Sequence, residues 1–262
     1  MVRTVLITGA TSGIGKATAE AFARNGDNLV LCARRIDILE TLKADWEAAY
    51  HVRVFVYELD VSDRVAVETV IGRICAEVGR IDILVNNAGL AQGLDAYQDS
   101  STDDIERMLD TNVKGMMYVT RNVLPSMVRA NFGHVINLGS TAGIYAYAGA
   151  AVYCATKAAV KTFSDGIRID TIASNVKVTT VQPGIVSTPF SEVRFHGDKG
   201  RADAVYADID ALQAEDIADI ILFVANRPKH VQISDITVMA AQQATGFMIA
   251  KGVDTRERLD EA

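Results

Sequence analysis

Tyr153 and Lys157 are the residues whose types and spacing point most directly to chemistry. If their segment is helical, they lie on one face a single turn apart, and the ammonium can sit beside the phenol oxygen. A free tyrosine titrates near ~10, and bringing it to neutral pH requires about 4 kcal/mol of preference for the phenolate. One cation about 4 Å away at an effective dielectric of ~20 supplies roughly that much. The pair could therefore act as an acid and a base, although many helices show this spacing by chance.

The elements that must position this pair are indicated by seven short apolar runs that alternate with longer segments of helical period. The runs are 4–8, 28–33, 52–59, 81–87, 134–139, 176–183 and 233–239. This alternation predicts an α/β fold, with a doubly wound parallel sheet of about seven strands and helices on both faces. No linker or second core is visible, so we predict one domain over 1–262. Loops at the carboxyl edge of such a sheet form a binding crevice, and we expect the site there.

A glycine-rich turn follows the first predicted strand, in the sequence TGATSGIG at 8–15. Glycines there let the backbone turn sharply and approach a pyrophosphate, while the next helix offers unpaired N–H groups and a positive dipole end. The first two glycines are more widely spaced than in the plain GxGxxG pattern, and a purely structural turn is the alternative. We predict dinucleotide binding. The expected contacts are Gly9, Thr11, Ser12, Gly13, Ile14 and Gly15.

The end of the second predicted strand indicates which dinucleotide binds. A site for NAD usually carries an acid about twenty residues after the glycines, whereas Arg34 and Arg35 occupy that place here. A guanidinium there would pair with a 2′-phosphate and stack near adenine, which favours NADP. Two solvated loop charges are the plainer alternative. Asp37 leaves NAD open, although an acid in the first turn of a helix is also ordinary.

Residues after the third and fourth strands complete the predicted cofactor site. A short polar side chain at Asp60 could hydrogen-bond the adenine edge, or it could simply stand beside a helix start that Ser62 caps. The sequence NNAG at 86–89 follows the fourth strand, where small residues let the backbone pass under a ligand. A plain turn would look the same. The residues assigned to the cofactor here are Asp60, Val61, Asn87, Ala88 and Gly89.

The composition limits the partners that this chain could bind. Its 262 residues carry a formal net charge of -7, and phosphate binding depends on clustered Lys and Arg. We therefore expect a small-molecule substrate, no nucleic acid and no membrane. Three cysteines far apart in sequence favour a reducing, cytoplasmic setting, and four scattered histidines argue against a metal site. The amino-terminal sequence shows neither a signal peptide nor a membrane span.

Several motifs occur together and in a characteristic order. They are TGATSGIG at 8–15, NNAG at 86–89, Asn112, Ser140, Tyr153 with Lys157, and Pro183-Gly184 followed by Thr188. This combination resembles the short-chain dehydrogenase/reductase family, with its Rossmann-type fold, from Thr4 to Met239. More narrowly, the segment 183–206 resembles the branch of NADP-dependent 3-hydroxy acid dehydrogenases that also oxidise serine and L-allo-threonine.

The resemblance implies an NADP-dependent oxidoreductase that acts on CH–OH groups and a role for each motif residue. Tyr153 would exchange a proton with the substrate oxygen while hydride passes between nicotinamide and carbon. Lys157 would lower the Tyr153 pKa and hold the nicotinamide ribose, and Ser140 would donate a hydrogen bond to the substrate oxygen. Asn112 would sit at a helix distortion that holds a water connecting Lys157 to solvent. The remaining implied cofactor contacts are Pro183, Gly184, Ile185, Val186 and Thr188.

Substrate choice is expected to lie in the loop 187–207, which in this family closes over the cofactor. Arg194 belongs to a locally basic stretch of that loop, so we predict that it binds a substrate carboxylate. Solvation or contact with another subunit is the alternative. Tyr147 could line the pocket or only pack there. We expect a small 3-hydroxy acid or hydroxy amino acid, such as serine, L-allo-threonine or 3-hydroxypropionate, whose oxidation gives malonic semialdehyde.

Two other functions stay open from the sequence: a reductase of larger ketones or aldehydes, and a non-catalytic NADP-binding sensor. The intact set of Ser140, Tyr153 and Lys157 argues against the sensor, because a pure binder does not need a tuned phenol. Cys154 is expected to be a buried small side chain rather than a nucleophile. Family resemblance implies a homotetramer, for which 112–130 and 151–173 could supply the interface. The ending 240–262 could contact a neighbouring subunit or remain partly free.

Overall fold

The computed structural model describes residues 2–252, and within them it contains one sheet of seven parallel strands and nine α-helices. The strands are β1 (Thr4–Thr8), β2 (Asn28–Ala33), β3 (Val54–Glu58), β4 (Ile83–Asn86), β5 (Gly133–Leu138), β6 (Val176–Pro183) and β7 (Asp235–Val238). The helices are α1 (Gly13–Arg24), α2 (Ile36–Tyr50), α3 (Arg64–Val78), α4 (Thr102–Leu109), α5 (Met116–Arg129), α6 (Ala151–Asp170), α7 (Phe190–Arg194), α8 (Lys199–Tyr206) and α9 (Ala214–Ala225). This architecture confirms the predicted α/β fold.

Each predicted strand is present, and the differences lie at the ends. The run 52–59 forms β3 only over Val54–Glu58, and 81–87 forms β4 only over Ile83–Asn86. The run 233–239 shortens to Asp235–Val238 at the edge of the sheet, where β6 is the single neighbour. Apolar side chains continue beyond the hydrogen-bonded residues because the connections next to a buried sheet also pack against its core.

The order of the strands creates a crevice. They run β3-β2-β1-β4-β5-β6-β7, so the chain crosses from β3 to the other side of β1 to begin β4. The connections that leave β1 and β4 therefore diverge to opposite faces of the sheet, and a ligand can enter between them. The parallel register pairs Ile7 with Val85, which brings Thr8 close to the start of the NNAG turn.

Two apolar layers hold the sheet, one on each face. On one face, Val5 and Ile7 pack in a cluster with residues of α1, α2 and α9, among them Phe22 and Ile221. On the other face, Leu6 packs in a second cluster with residues of α3, α5 and α6. Alternate residues of one strand thus serve opposite layers, and both are buried, which explains the continuous apolar runs. Burial of each large side chain contributes about 2 kcal/mol.

The start of α3 differs from the sequence expectation that Ser62 caps it. The carboxylate of Asp63 accepts hydrogen bonds from the backbone N–H groups of Val65 and Ala66, so Asp63 is the cap. The Ser62 hydroxyl instead donates to Oδ1 of Asp60 at 2.6 Å. The Ser62 hydroxyl is therefore bound to the carboxylate of Asp60, and Asp63 caps the helix in its place.

Three absences can be stated for residues 2–252. No helix there is long and apolar enough to cross a membrane. No group of three or more His, Cys, Asp or Glu side chains is arranged to hold a metal ion. Cys32, Cys75 and Cys154 are free, with Cys154 buried as expected. The predicted ending 240–262 is described only to residue 252, and the remainder lies outside the described residues.

Candidate active site

A cavity of about 770 Å³ opens at the carboxyl edge of the sheet, where the crevice was expected. It brings together nearly every residue that the sequence predicted for the site. Of the predicted residues, those lining it are Gly9, Thr11, Ser12, Gly13, Ile14, Arg34, Arg35, Asp60, Val61, Asn87, Ala88, Gly89, Ser140, Tyr147, Tyr153, Lys157, Pro183, Gly184, Ile185, Val186, Thr188 and Arg194. Gly15 and Asn112 do not line the cavity, and instead they pack against residues that form its walls.

The glycine-rich turn has the conformation that its sequence requires. Gly9 and Gly13 have φ values of 68° and 52°, a region that favours glycine. A side chain on Gly15 would collide with the carbonyl of Gly9 and with Nδ2 of Asn87. That Nδ2 donates to the carbonyls of Thr8 and Gly9 at 2.9 and 3.2 Å. The first turn of α1 can therefore press against the end of β1, which points its free N–H groups at the cavity.

The two arginines after β2 occupy different positions at the cavity rim. Nη2 of Arg35 donates to the hydroxyls of Thr11 and Ser12 at 2.7 and 3.2 Å. Arg34 is exposed and makes no side-chain hydrogen bond within residues 2–252. Asp37 is exposed in the first turn of α2 and does not line the cavity. The rim beyond β2 thus presents positive charge to a ligand, as NADP requires.

A buried network ties the strand ends to the helices, and its members Thr120, Asn137 and Ser164 were not singled out from the sequence. Nδ2 of Asn86 donates to Thr120 and to Asn137, both at 2.8 Å. Nδ2 of Asn137 in turn donates to Ser164 at 2.9 Å. These bonds join β4 and β5 to α5 and α6, so they set the height of α6 above the sheet. The available signal was an asparagine within the apolar run of β5, which suits a strand only if its amide is satisfied.

Asn112 lies at the distortion that the family resemblance implied. Residues Asp110–Gly115 form a π-helical segment between α4 and α5, and such segments are frequent at functional sites. The amide of Asn112 exchanges hydrogen bonds with the backbone N–H and carbonyl of Leu90, at 2.8 and 2.7 Å. Its Nδ2 also donates to Thr156 at 3.1 Å. Asn112 therefore pins the loop after β4 against α6. A water held there remains a prediction.

Tyr153 and Lys157 lie one turn apart on α6, and both side chains are buried. Nζ of Lys157 donates to the carbonyl of Leu138 at 2.8 Å and stands 5.9 Å from the centroid of the Tyr153 ring. Ser140 follows β5, where its hydroxyl accepts from the N–H of Ala142 at 3.1 Å. The glycine at 143 allows this turn to touch α6, because a side chain there would press on the Lys157 backbone.

The electrostatics of this group are set first by burial. Burial raises the pKa of Tyr153 to about 12, while the positive charge of Arg194 is the largest influence that lowers it, followed after the opposing effect of Tyr147 by a hydrogen bond with Ser140. Burial lowers the pKa of Lys157 to about 8. Sequence reasoning assigned the lowering of the phenol pKa to Lys157, whose ammonium is here directed at a carbonyl. Its effect on Tyr153 in the presence of cofactor remains a prediction.

The predicted substrate loop carries two short helices, α7 and α8, which the sequence analysis did not anticipate. Arg194 ends α7, and its Nη2 donates to the hydroxyl of Tyr147 at 3.0 Å. The Arg194 guanidinium carbon lies 5.0 Å from the Tyr153 ring centroid and 5.4 Å from that of Phe190. Its Nε is buried and has no hydrogen-bond partner among the described residues. The cavity therefore places an unsatisfied cationic donor beside the phenol.

The loop is anchored at both sides of the cavity. Nε2 of Gln92 donates to the carbonyl of Val193 at 2.7 Å, and the N–H of Gly93 donates to that of Arg194 at 2.9 Å. Oε1 of Gln243 accepts from the N–H of Ile185 at 3.0 Å. Gln243 was not predicted for the site, and nothing in its sequence context marks it. The first two bonds fix the backbone around Arg194 without using its guanidinium, and the third holds the segment just before the loop.

Comparisons with known proteins agree with this geometry. Residues 3–199 match the family model described as short chain dehydrogenase. The chain is 45% identical over 242 residues to an NADP-dependent 3-hydroxy acid dehydrogenase of Schizosaccharomyces pombe, covering 92% of this chain and 93% of that protein. It is 44% identical over 241 residues to sulfoacetaldehyde reductase 2 of Chromohalobacter salexigens, covering 92% and 95%.

A solved structure of serine dehydrogenase in its closed form, complexed with NADP+, superposes with a TM-score of 0.89 at 43% identity. The match covers 92% of this chain and 96% of that one. The motifs, the sheet order and the site geometry all occur together along the matched length. The chain belongs to the short-chain dehydrogenase family.

Proposed function

We propose that this protein is an NADP-dependent oxidoreductase that interconverts a small 3-hydroxy acid or hydroxy amino acid with its carbonyl form. One observation carries the choice of substrate: the buried, unpartnered Nε of Arg194 in the cavity that also contains Tyr153 and Ser140. A buried donor without a partner costs free energy, which an anionic group of the substrate would recover.

The residues that line the cavity would hold a dinucleotide along it. The N–H groups at the start of α1 would hold the pyrophosphate, and Arg34 and Arg35 would hold the 2′-phosphate. Asp60 and Val61, which line the cavity, would contact the adenine, and the wall from Pro183 to Thr188 would cover the nicotinamide end. NADP supplies or accepts the hydride when it is bound. The relative from Schizosaccharomyces pombe, an NADP-dependent 3-hydroxy acid dehydrogenase, and the serine dehydrogenase structure complexed with NADP+ support this choice.

The chain's own residues would move the proton. In reduction, the Tyr153 hydroxyl donates to the carbonyl oxygen as that oxygen gains negative charge, and in oxidation the phenolate accepts the proton of the alcohol. The Ser140 hydroxyl stabilises the same oxygen by a hydrogen bond. Lys157 would hold the nicotinamide ribose and return the proton to solvent through the region that Asn112 organises. Phe190, whose ring centroid lies 5.8 Å from that of Tyr153, excludes water from one side.

The substrates named for the relatives share a charge pattern. In a 3-hydroxy acid, in serine and in sulfoacetaldehyde, one carbon separates the reacting carbon from an acid group. A carboxylate and a sulfonate are both acceptors that a guanidinium recognises. Arg194 lies close enough to Tyr153 to hold such an acid group while the phenol contacts the oxygen on the reacting carbon. We therefore assign Arg194 to the acid group and Tyr147 to the orientation of the guanidinium.

A panel of oxidations with NADP+ tests this function. Serine, 3-hydroxyisobutyrate and an uncharged secondary alcohol are compared by the absorbance of the NADPH formed. We expect higher kcat/KM for the two acids, and we expect Arg194→Gln to raise KM for the acids but not for the alcohol. Preference for the uncharged alcohol would instead indicate a reductase of larger ketones or aldehydes. NADPH binding without any turnover would indicate a sensor.

We also propose a homotetramer in a reducing, cytoplasmic setting. The free state of the three cysteines supports the reducing setting. Ile169 at the end of α6 and Ile172 just beyond it, both within the predicted interface segment 151–173, are 72% and 82% exposed, which suits a surface that another subunit covers. Light scattering coupled to size-exclusion chromatography would report the mass, and a monomer at micromolar concentration would contradict the proposal.

A further inference from the structure

Arg194 holds an unusual position for a residue that only binds substrate. Its guanidinium carbon is 5.0 Å from the ring centroid of Tyr153, within the distance at which a cation and an aromatic ring attract. The hydroxyl of Tyr147 holds Nη2, and the backbone is tied to Gly93. No carboxylate forms an ion pair with it in the part of the chain that the structure describes. A fixed and uncompensated positive charge thus faces the phenol.

The second cation near Tyr153 is differently engaged. Lys157 directs its ammonium to the carbonyl of Leu138, and burial lowers its pKa to about 8, so above neutral pH its charge is partly lost. A guanidinium keeps its charge throughout this range. Among the groups that lower the pKa of Tyr153, the charge of Arg194 has the largest effect. Arg194 is therefore the permanent cation available to the phenolate in alkaline solution.

We infer that Arg194 has two tasks in one site: it receives the acid group of the substrate, and its charge also stabilises the Tyr153 phenolate until that acid group neutralises it. The inference rests on the proposed function and deepens it. The charge of the bound substrate then decides whether the phenol keeps its proton. An anionic aldehyde would meet a protonated Tyr153, ready to donate, whereas an uncharged alcohol would meet a phenol that loses its proton more easily.

Other charged and titratable groups also face Tyr153, and they are the same whether the bound substrate is anionic or uncharged. Tyr147 and Cys154 oppose ionisation of the phenol, and Ser140 favours it. Asp95 and Asp104 line a second, small cleft together with Tyr153. Asp104 is paired with Nε2 of His196 at 3.2 Å. Each of these groups is present with every substrate, so a difference between an anionic and an uncharged ligand must act through the group that contacts the anion.

The test compares 3-hydroxypropionate with its methyl ester, which has the same reacting carbon and no charge. Single-turnover reduction of NADP+ is followed across the alkaline range, and the rise of the rate with pH reports the pKa of Tyr153 in each complex. In the wild type, we expect a lower pKa with the ester than with the acid. With the ester, Arg194→Gln should raise this pKa by roughly one pH unit or more. Arg194→Lys, which keeps the charge, should restore most of the wild-type value.

Arg201→Gln is the matched control, because Arg201 belongs to the same loop but is exposed and lies over the ring of Phe195. The pH dependence of the single-turnover rate in Arg201→Gln should match that of the wild type. An unchanged pKa with the ester in Arg194→Gln would overturn the inference while leaving carboxylate binding, measured by KM for the acid, intact. If neither compound is oxidised, the proposed function fails. The second task of Arg194 is then tested by ultraviolet titration of the Tyr153 phenolate, taken as the difference between spectra with Tyr153 and spectra with Tyr153→Phe. Arg194→Gln must raise the pKa measured in this way.

Discussion

Arg34 and Arg35 should contribute differently to cofactor choice, because the structure gives them different partners. Each would form a charge-assisted hydrogen bond with the 2′-phosphate, worth about 1.5–3 kcal/mol, and exposure places the value near the lower limit. Arg34→Gln should therefore weaken the binding of NADPH by roughly 10- to 30-fold and leave the binding of NADH unchanged. Arg35 also holds Thr11 and Ser12. Arg35→Gln should weaken NADPH binding similarly, and it should also weaken NADH binding by roughly fivefold, because the two exposed bonds to the turn together contribute about 1 kcal/mol.

Fluorescence titration with NADPH and NADH gives the two dissociation constants for each variant. The NADPH affinity of the wild type should fall as salt is added, and less steeply in either variant, because each removes a charge that faces a phosphate. Equal losses for both cofactors in Arg34→Gln would refute the assignment of the 2′-phosphate to this rim. A loss confined to NADPH in Arg35→Gln would show that its bonds to the turn do not shape the cofactor site.

Two further predictions concern folding, each checked by thermal or denaturant unfolding. Gly15→Ala should destabilise by about 2 kcal/mol, since its new methyl group meets Gly9 and Asn87. Gly72→Ala, where nothing lies within 4 Å, should stabilise by up to about 1 kcal/mol, and a similar loss in both would contradict this. Burial lowers the pKa of His134 to about 3. Because the unfolded chain then binds the proton first, stability should fall by about 3 kcal/mol as pH drops from ~6.5 to ~4, and His134→Gln should lose this slope.

The fold could be predicted because the parallel sheet is covered on both faces. Residues such as Leu6 and Ile7 serve opposite layers and are both fully buried, so each strand appears as a continuous apolar run. The ends of the strands were harder to predict from the sequence. The pairing of β7 begins only at Asp235, since its hydrogen bonds depend on where β6 lies. Such a limit is a tertiary property that the local sequence does not contain.

The cofactor and proton-transfer parts of the candidate site were also predictable, because their residues follow strand ends in a fixed order. The position of Arg194 could be suspected only from local charge. Its approach to Tyr153 depends on Gln92 and Gly93, which hold the backbone of the loop from a hundred residues away in sequence. Gln243 contributes from the far end of the chain in the same way. No spacing rule connects residues that meet only after folding.

The hydride-transfer step in Tyr153→Phe shows whether Tyr153 exchanges the proton with the substrate. The substitution removes one hydroxyl and keeps the ring that packs on Phe190. We predict that the single-turnover rate of NADP+ reduction by 3-hydroxypropionate falls about a thousandfold, the usual effect of losing a general acid–base group, while NADPH binds as tightly as in the wild type. An undiminished rate in Tyr153→Phe would show that Tyr153 is not the group that exchanges the proton.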